Sequence, residues 1–291
     1  MARLNSTRLG RFLMRVALYG GALFVGLPLV FSHVMIRTHR RPTEPPPPRW
    51  EETWITSEDL RLRAWLGPEK PGRPAVVVVH GLGDSLESYF PIASVLSGRG
   101  HTVLLLDLRG HGASAGSRTT MGGHEREDVR AGMRFLSAQG LARRGVVLFG
   151  FSMGAVAVLR AAADREDVRA VVAESPFDTY RDTVAHHARI LYGLPRWFPV
   201  ISLAIAAAEW RAGFDADEVD AVAAAAEMKA PLLLILDGED PRMPEPVVRR
   251  VLDAHPGPKR FWVAEGAPHS GARNISGYWE TILAFLEEAG V

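Results

Sequence analysis

A serine hydroxyl is a weak nucleophile at neutral pH until a base takes its proton and an acid orients that base. The first question for this chain is therefore which serine has such partners. The pattern G-x-S-x-G picks out two. GFSMG (Gly150 to Gly154) has the apolar run GVVLF before it and the helix-compatible AVAVLRAAA after it. Its two glycines permit a sharp turn and a close helix, so Ser152 is expected to be lifted out of the sheet with its hydroxyl presented. GASAG (Gly112 to Gly116) lies between DLRGH and SRTTMGG, with no strand directly before it and no helix directly after. Ser114 reads as a loop residue.

Position along the chain narrows the base. On strand-turn-helix sites of this kind the order is Ser, then Asp or Glu, then His. Of ten histidines only His255 and His269 follow the apolar run LLLIL (Leu232 to Leu236). His269 sits in EGAPHSG directly after the last such run, RFWVAE, where sites in open α/β sheets assemble. His255, in DAHPGP, closes a helical stretch, where a cation suits the helix C-terminus. For the acid, LLLILDGEDPRMP offers Asp237, Glu239 and Asp240. Asp240 opens a Pro-rich turn from which a carboxylate could reach an imidazole, whereas Asp237 and Glu239 could hold the turn by local hydrogen bonds. A developing oxyanion also needs donors. HGLGDS (His80 to Ser85) follows AVVVV, and the backbone N–H groups of Leu82 and Met153, the residue after Ser152, would form the hole.

The elements that must carry these residues alternate. TWITSEDLRLRAWL (Thr53 to Leu66) reads as a β-hairpin around Ser-Glu-Asp. Short apolar runs follow at Ala75–Val79, Thr102–Asp107, Val146–Gly150, Arg169–Glu174, Leu232–Leu236 and Arg260–Glu265. Strands buried on both faces look like this, and the helical stretches between them (His124 to Gly140, Ala155 to Glu166) indicate one doubly wound α/β domain over residues 50–291 with about eight strands. About 55 residues separate the fourth and fifth of these runs, more than a crossover requires. They contain DTYRDTVAHHARILYG and WFPVISLAIAAAEW and are expected to form a cap insertion over about 176–230.

The N-terminal part reads differently. Residues 1–15 are basic, with Arg3, Arg8, Arg11 and Arg15. Residues 16–36 carry no formally charged side chain and would span roughly 30 Å as a helix, the hydrocarbon thickness of a bilayer. The reading is a single-pass transmembrane helix. Its competitors are a cleaved signal peptide, with Val30 and Ser32 before a cut at His33, and a helix buried in the globular body. Residues 37–49, including RPTEPPPPR (41–49), read as a stiff Pro-rich linker that sets the body off from the membrane, so that residues 1–48 anchor without contributing to chemistry. Four arginines before the helix against three after it place the body outside the cytoplasm.

Composition excludes several classes. Hydrophobic residues are 47% and charged residues 23%, ordinary globular proportions. A net charge of +1 leaves no basic excess for nucleic acid. With no cysteine, disulfides, thiolate metal sites and a Cys nucleophile are removed together. No HExxH, EF-hand or Walker pattern appears, so no metal or other cofactor is implied.

Taken together, HGLG (80–83), DLRGHGAS (107–114), GFSMG (150–154), DGEDPRMP (237–244) and GAPHS (266–270) resemble the α/β-hydrolase superfamily over about Trp50 to Val291. The likeness is strongest to bacterial serine-aminopeptidase-like or esterase-like hydrolases with an N-terminal membrane segment. The resemblance implies a mostly parallel eight-stranded sheet with helices on both faces and a short helical cap. It implies Ser152 as nucleophile, His269 as base, Asp240 as acid, and Leu82 and Met153 as oxyanion donors, with His111 and Arg109 architectural. One spacing departs from the family: Asp240 stands four residues before Pro244, as usual, but only two after Gly238, which keeps Asp237 in contention. The function expected is hydrolysis of a carboxylic ester, with a small-molecule ester or acyl substrate of hydrophobic character suggested by the apolar cap. Thioester or amide hydrolysis on the same residues is the alternative, and a membrane-tethered binding module the non-enzymatic one.

Overall fold

A computed structural model describes residues 3–291; of the basic N-terminus, residues 1 and 2 lie outside the described residues. The chain runs α1 (Arg3–Ile36), β1 (Glu51–Ser57), β2 (Leu60–Leu66), β3 (Ala75–Val79), α2 (Phe90–Gly98), β4 (Val103–Leu106), α3 (Glu125–Ala138), β5 (Val146–Phe151), α4 (Met153–Ala162) and β6 (Val168–Glu174). Then come α5 (Tyr180–Tyr192), α6 (Pro199–Ala212), α7 (Ala221–Glu227), β7 (Leu232–Asp237), α8 (Glu245–Ala254), β8 (Lys259–Ala264) and α9 (Tyr278–Glu288). Among the described residues the strands form an eight-stranded sheet in the order β1-β2-β4-β3-β5-β6-β7-β8. The hairpin β1–β2 is antiparallel and joins β4 antiparallel; every later pairing is parallel. The mostly parallel eight-stranded sheet expected from the sequence is observed.

The apolar runs explain why the sheet lies in the middle. Side chains alternate across a strand, so β3 sends Val77 and Val79 to a core shared with α3, α4, α7 and α8. Val76 and Val78 go to a second core under α2 and α9. A residue that is fully buried gains roughly 1.5–3 kcal/mol, and a run without polar interruptions gains it on both faces.

β5 is central, and its C-terminal end makes a sharp bend. Phe151 ends the strand, Ser152 takes φ 50° and ψ −115°, and Met153 begins α4. Two glycines allow the bend. A Cβ on Gly150 would stand 2.3 Å from the Gly154 carbonyl oxygen, and one on Gly154 would stand 2.4 Å from the His80 carbonyl oxygen. Here the backbone of α4 touches the loop after β3.

Between β6 and β7, helices α5 and α6 form the part that departs from the sheet, while α7 packs on α4 and α8 beside it. Thr179 caps α5 by accepting the Asp182 N–H, and Gly193 ends it in the left-handed region. Helix α1 is long and apolar enough over Arg8–Ile36 to cross a membrane. Its last turns lie against α6, with Pro28, Ser32 and Ile36, one turn apart, buried on that face. Arg211 on α6 fastens it, donating to the Leu29 carbonyl at 3.1 Å and to Ser32 Oγ at 2.9 Å.

The linker over 37–49 departs from its expected role as a spacer. It is strapped along the body instead. Arg40 donates to the carbonyls of Gly112 and Gly116, both at 2.8 Å, and Arg41 Nε to that of Gly83 at 3.0 Å. The Glu44 N–H donates to Glu87, and the guanidinium of Arg63 reaches the Glu44 carbonyl. Loop carbonyls at the strand ends offer acceptors that arginine forks fill, and the segment follows them.

Gly154→Ala is expected to cost at least about 1–3 kcal/mol, because its methyl group must displace backbone rather than a side chain. Gly98→Ala, with nothing within 4 Å, should be neutral or stabilising by up to about 1 kcal/mol. Urea titration of both variants beside the parent chain measures the difference.

Candidate active site

Three loops meet beyond the C-terminal ends of the strands. The elbow presents Ser152, the loop after β7 presents Asp240 and the loop after β8 presents His269. Ser152 Oγ lies 3.0 Å from His269 Nε2, and His269 Nδ1 lies 2.5 Å from Asp240 Oδ2. An ionised carboxylate accepts only, so the imidazole donates from Nδ1 and is left with Nε2 free to accept from the serine hydroxyl. Burial by itself would push the Asp240 carboxyl up. The hydrogen bond and charge of His269, helped by the N–H groups of Arg242 and Met243, more than offset this and hold it below the ordinary range. The arrangement has the reach and the tautomer needed to take a proton from Ser152.

The acid and histidine loops are laced together. The Gly238 N–H donates to the Ala264 carbonyl at 2.9 Å and the Glu239 N–H to that of Ala267 at 2.8 Å. His186 on α5 reaches the Pro241 carbonyl with Nε2 at 2.8 Å, tying α5 to the acid loop. On the other side of Ser152 stands the turn His80–Gly83. A Cβ on Gly81 would lie 3.4 Å from Ser152 Cβ, so Leu82 follows directly beside the elbow. Met153 is the first residue of α4, where a backbone N–H has no acceptor within the helix. Both amides therefore belong to segments that border the hydroxyl.

These features have counterparts in known proteins. The family model for serine aminopeptidase, S33, matches residues 70–212. The esterase Pf2001 of Pyrococcus furiosus superposes with a TM-score of 0.69 at 25% identity, over 87% of this chain and 98% of that one. The chain has the α/β-hydrolase fold and is a hydrolase. Its curated relatives include the uncharacterized protein YqkD of Bacillus subtilis, 29% identical over 73% of this chain and 70% of that protein. The uncharacterized protein Rv2307c of Mycobacterium tuberculosis is 29% identical over 81% of this chain and 78% of that protein.

The hydrolase keeps Asp237 and Asp240 in different positions. Asp237 does not touch His269. Its carboxylate accepts from Ser175 Oγ at 2.8 Å and from the N–H groups of Ser270 (2.7 Å), Gly271 (3.2 Å) and Ala272 (2.8 Å). Burial raises its pKa, while those donors pull it back toward the ionised form. It is a cradle for the loop that carries His269, holding residues more than thirty positions away rather than its own turn. Ser152, Ser175 and Ser270 all have positive φ, at 50°, 47° and 59°, which concentrates backbone strain at this point of the fold. Asp237, Asp240 and His269 also bring potential ligand atoms within 4.8 Å of one another. The hydrogen bonds just described already occupy those atoms.

The hydrolase uses its second G-x-S-x-G copy as scaffold. Ser114 is buried, accepts the Arg63 N–H and donates to the Asp107 carbonyl. Arg109 grips Asp128 with Nε and Nη2, and the His111 side chain turns to the Arg109 carbonyl. Burial, and then the neighbouring His80, lower His111 to a pKa of about 4, so it stays neutral at ordinary pH. His255 is likewise buried, with its ring on the Ala225 carbonyl.

Beside the elbow lies a cavity of about 240 Å³. Leu82, of the turn beside Ser152, lines it together with Met121, and α5 and α6 supply Leu191, Tyr192 and Ile201. The far wall is α1, through Phe31, Val34 and Met35. Residues 1–48 were expected to be set off from the body; the last turns of α1 instead pack on it and line this cavity. The sequence concealed this, because an apolar residue facing lipid and one facing a cavity have the same composition.

Asp237→Ala is expected to lower stability by about 3 kcal/mol or more, since it strands buried N–H groups at 270–272 that cost about 1–3 kcal/mol each. Asp237→Asn keeps one acceptor oxygen and should lose less. Denaturant unfolding of the two variants ranks them, and equal losses would mean that Asp237 is not the acceptor holding the loop.

Proposed function

We propose that this hydrolase is a serine esterase working through an acyl-enzyme, held at a membrane by α1. The observation that carries the reading is the relay Asp240–His269–Ser152, at 2.5 and 3.0 Å, on a strained strand-to-helix elbow. Ser152 Oγ attacks the ester carbonyl carbon while its proton passes to His269 Nε2. The Leu82 and Met153 N–H groups receive the oxyanion. The imidazolium, steadied by ionised Asp240, returns the proton to the departing alkoxide oxygen as the C–O bond breaks, and the alcohol leaves. Water then repeats the sequence on the acyl-serine: His269 takes its proton, hydroxide oxygen joins the carbonyl carbon, and Ser152 departs with the proton restored.

The esterase of Pyrococcus furiosus supports an ester substrate, and the aminopeptidase family model keeps an amide in view. Matched p-nitrophenyl esters and aminoacyl-arylamides distinguish them. Ester turnover is expected, and turnover of arylamides alone would reverse the choice. Ser152→Ala should lower kcat by several orders of magnitude, with Ser114→Ala folded and far less affected. Asp240→Asn should lower kcat on the order of 10⁴-fold if the acid fixes the imidazole tautomer, with Asp237→Asn milder. Equal, modest losses in the two acid variants would overturn the assignment of Asp240.

The membrane part of the reading rests on the apolar stretch Arg8–Ile36. The full chain should resist extraction by high salt, which screens charge pairing but not apolar insertion. The slight arginine excess before the helix supports a body outside the cytoplasm. Because the chain has no cysteine, a single cysteine placed at exposed Glu288 reports the side directly. In intact cells a membrane-impermeant maleimide should label it, and labelling only after lysis would reverse the orientation.

A further inference from the structure

We infer that the cavity beside Ser152 takes the aliphatic chain of an ester lipid resident in the bilayer, and that α1 is a wall of that binding site as well as an anchor. The inference rests on the esterase reading above and adds the substrate class and the route of entry. The cavity borders the oxyanion turn at Leu82 and continues away from it between α5, α6 and α1. An acyl carbon bonded to Ser152 would place its chain at the mouth of this space. His187, on α5, also lines this space. Beyond it the walls are almost entirely apolar, which suits a methylene chain and leaves the polar groups of a sugar or peptide without partners.

The wall formed by α1 is built into the fold. Phe31 meets Tyr192 edge to face, with ring centroids 5.2 Å apart, and Met35 packs on the main core. Arg211 holds the backbone of the same turns through Leu29 and Ser32. The outer surface here is unusual for a soluble body. Trp197, between α5 and α6, is 78% exposed and Trp210, on α6, is 81% exposed; Leu191 is also exposed. Indole rings are favoured at membrane–water interfaces. Since α6 lies against the very helix that would enter the bilayer, these side chains continue its apolar surface at headgroup level. A chain leaving the lipid beside α1 can therefore reach the cavity without crossing water.

The test uses the full chain in phosphatidylcholine vesicles and two fluorophosphonates, one ethyl and one dodecyl, whose phosphorus bonds to the serine as fluoride departs. The parent chain should label Ser152 faster with the dodecyl probe. Phe31→Trp and Met35→Trp, which fill the cavity, should lower the dodecyl-to-ethyl rate ratio by about tenfold or more. A ratio unchanged in both variants overturns the inference. A second measurement needs no variant: a dodecyl probe with a terminal diazirine, bound to the parent chain and photolysed, should cross-link to peptides of α1, α5 or α6. Adducts confined to other peptides, or to lipid alone, overturn it. Failure of both probes to label Ser152 overturns the nucleophile reading instead, and this one with it.

Discussion

Backbone at φ 50° and ψ −115° on a residue with a side chain costs on the order of 1–3 kcal/mol, and the hydrolase holds Ser152 there. Much of the architecture can be understood as the means of holding it. β5 is fixed by parallel neighbours on both sides, so its end cannot slide. The Ser152 N–H is tied to the Glu174 carbonyl at 2.8 Å, which clamps the elbow to the end of β6. The missing Cβ atoms at Gly150 and Gly154 let α4 start at once and press against the loop after β3. That same contact brings the His80–Gly83 turn beside the hydroxyl. One bend thus presents the serine, starts a helix with a free amide and brings the His80–Gly83 turn beside it.

Buried charge organises the remaining loops. Asp237 gathers the amides of 270–272, Asp107 accepts from the amides of Leu86 and Ala113, and Glu125 accepts from Thr119, Thr120 and Gly122. Each carboxylate sits at the end of a strand or the start of a helix, where amide donors have no ladder partner. A loop bound in this way has one conformation instead of many. The site residues stand on loops, yet the loops behave as extensions of the sheet.

How much of this the sequence disclosed depended on range. The strands were legible because burial on both faces writes itself as uninterrupted apolar runs such as AVVVV and LLLIL. Ser152 was separable from Ser114 because strand, turn and helix are local. His269 followed from order along the chain. Asp237 and Asp240 were harder, since they stand three residues apart on one loop. Which of them faces the imidazole depends on Asp237 being engaged by amides at 270–272, and no local signal carries that. The packing of α1 was hidden for a different reason. Lipid alone accounts for the apolar residues of 16–36, so nothing in their composition marks Phe31 and Met35 as facing protein. The spacing of Pro28, Ser32 and Ile36, four apart with a hydroxyl among apolar neighbours, was the available hint.

The strapped linker has a kinetic consequence. A free spacer of this length would let the body wander through a hemisphere of solution and collide with dissolved molecules from every side. With Arg40, Arg41 and Glu44 fastened to the loops around the site, and α1 clasped by Arg211, the body has a set height and tilt relative to its own helix. Under the proposed anchoring and lipid substrate, encounter would become a problem in two dimensions. The quantity that governs turnover would be the surface fraction of substrate in the surrounding leaflet, and stirring or enriching the bulk phase would change little.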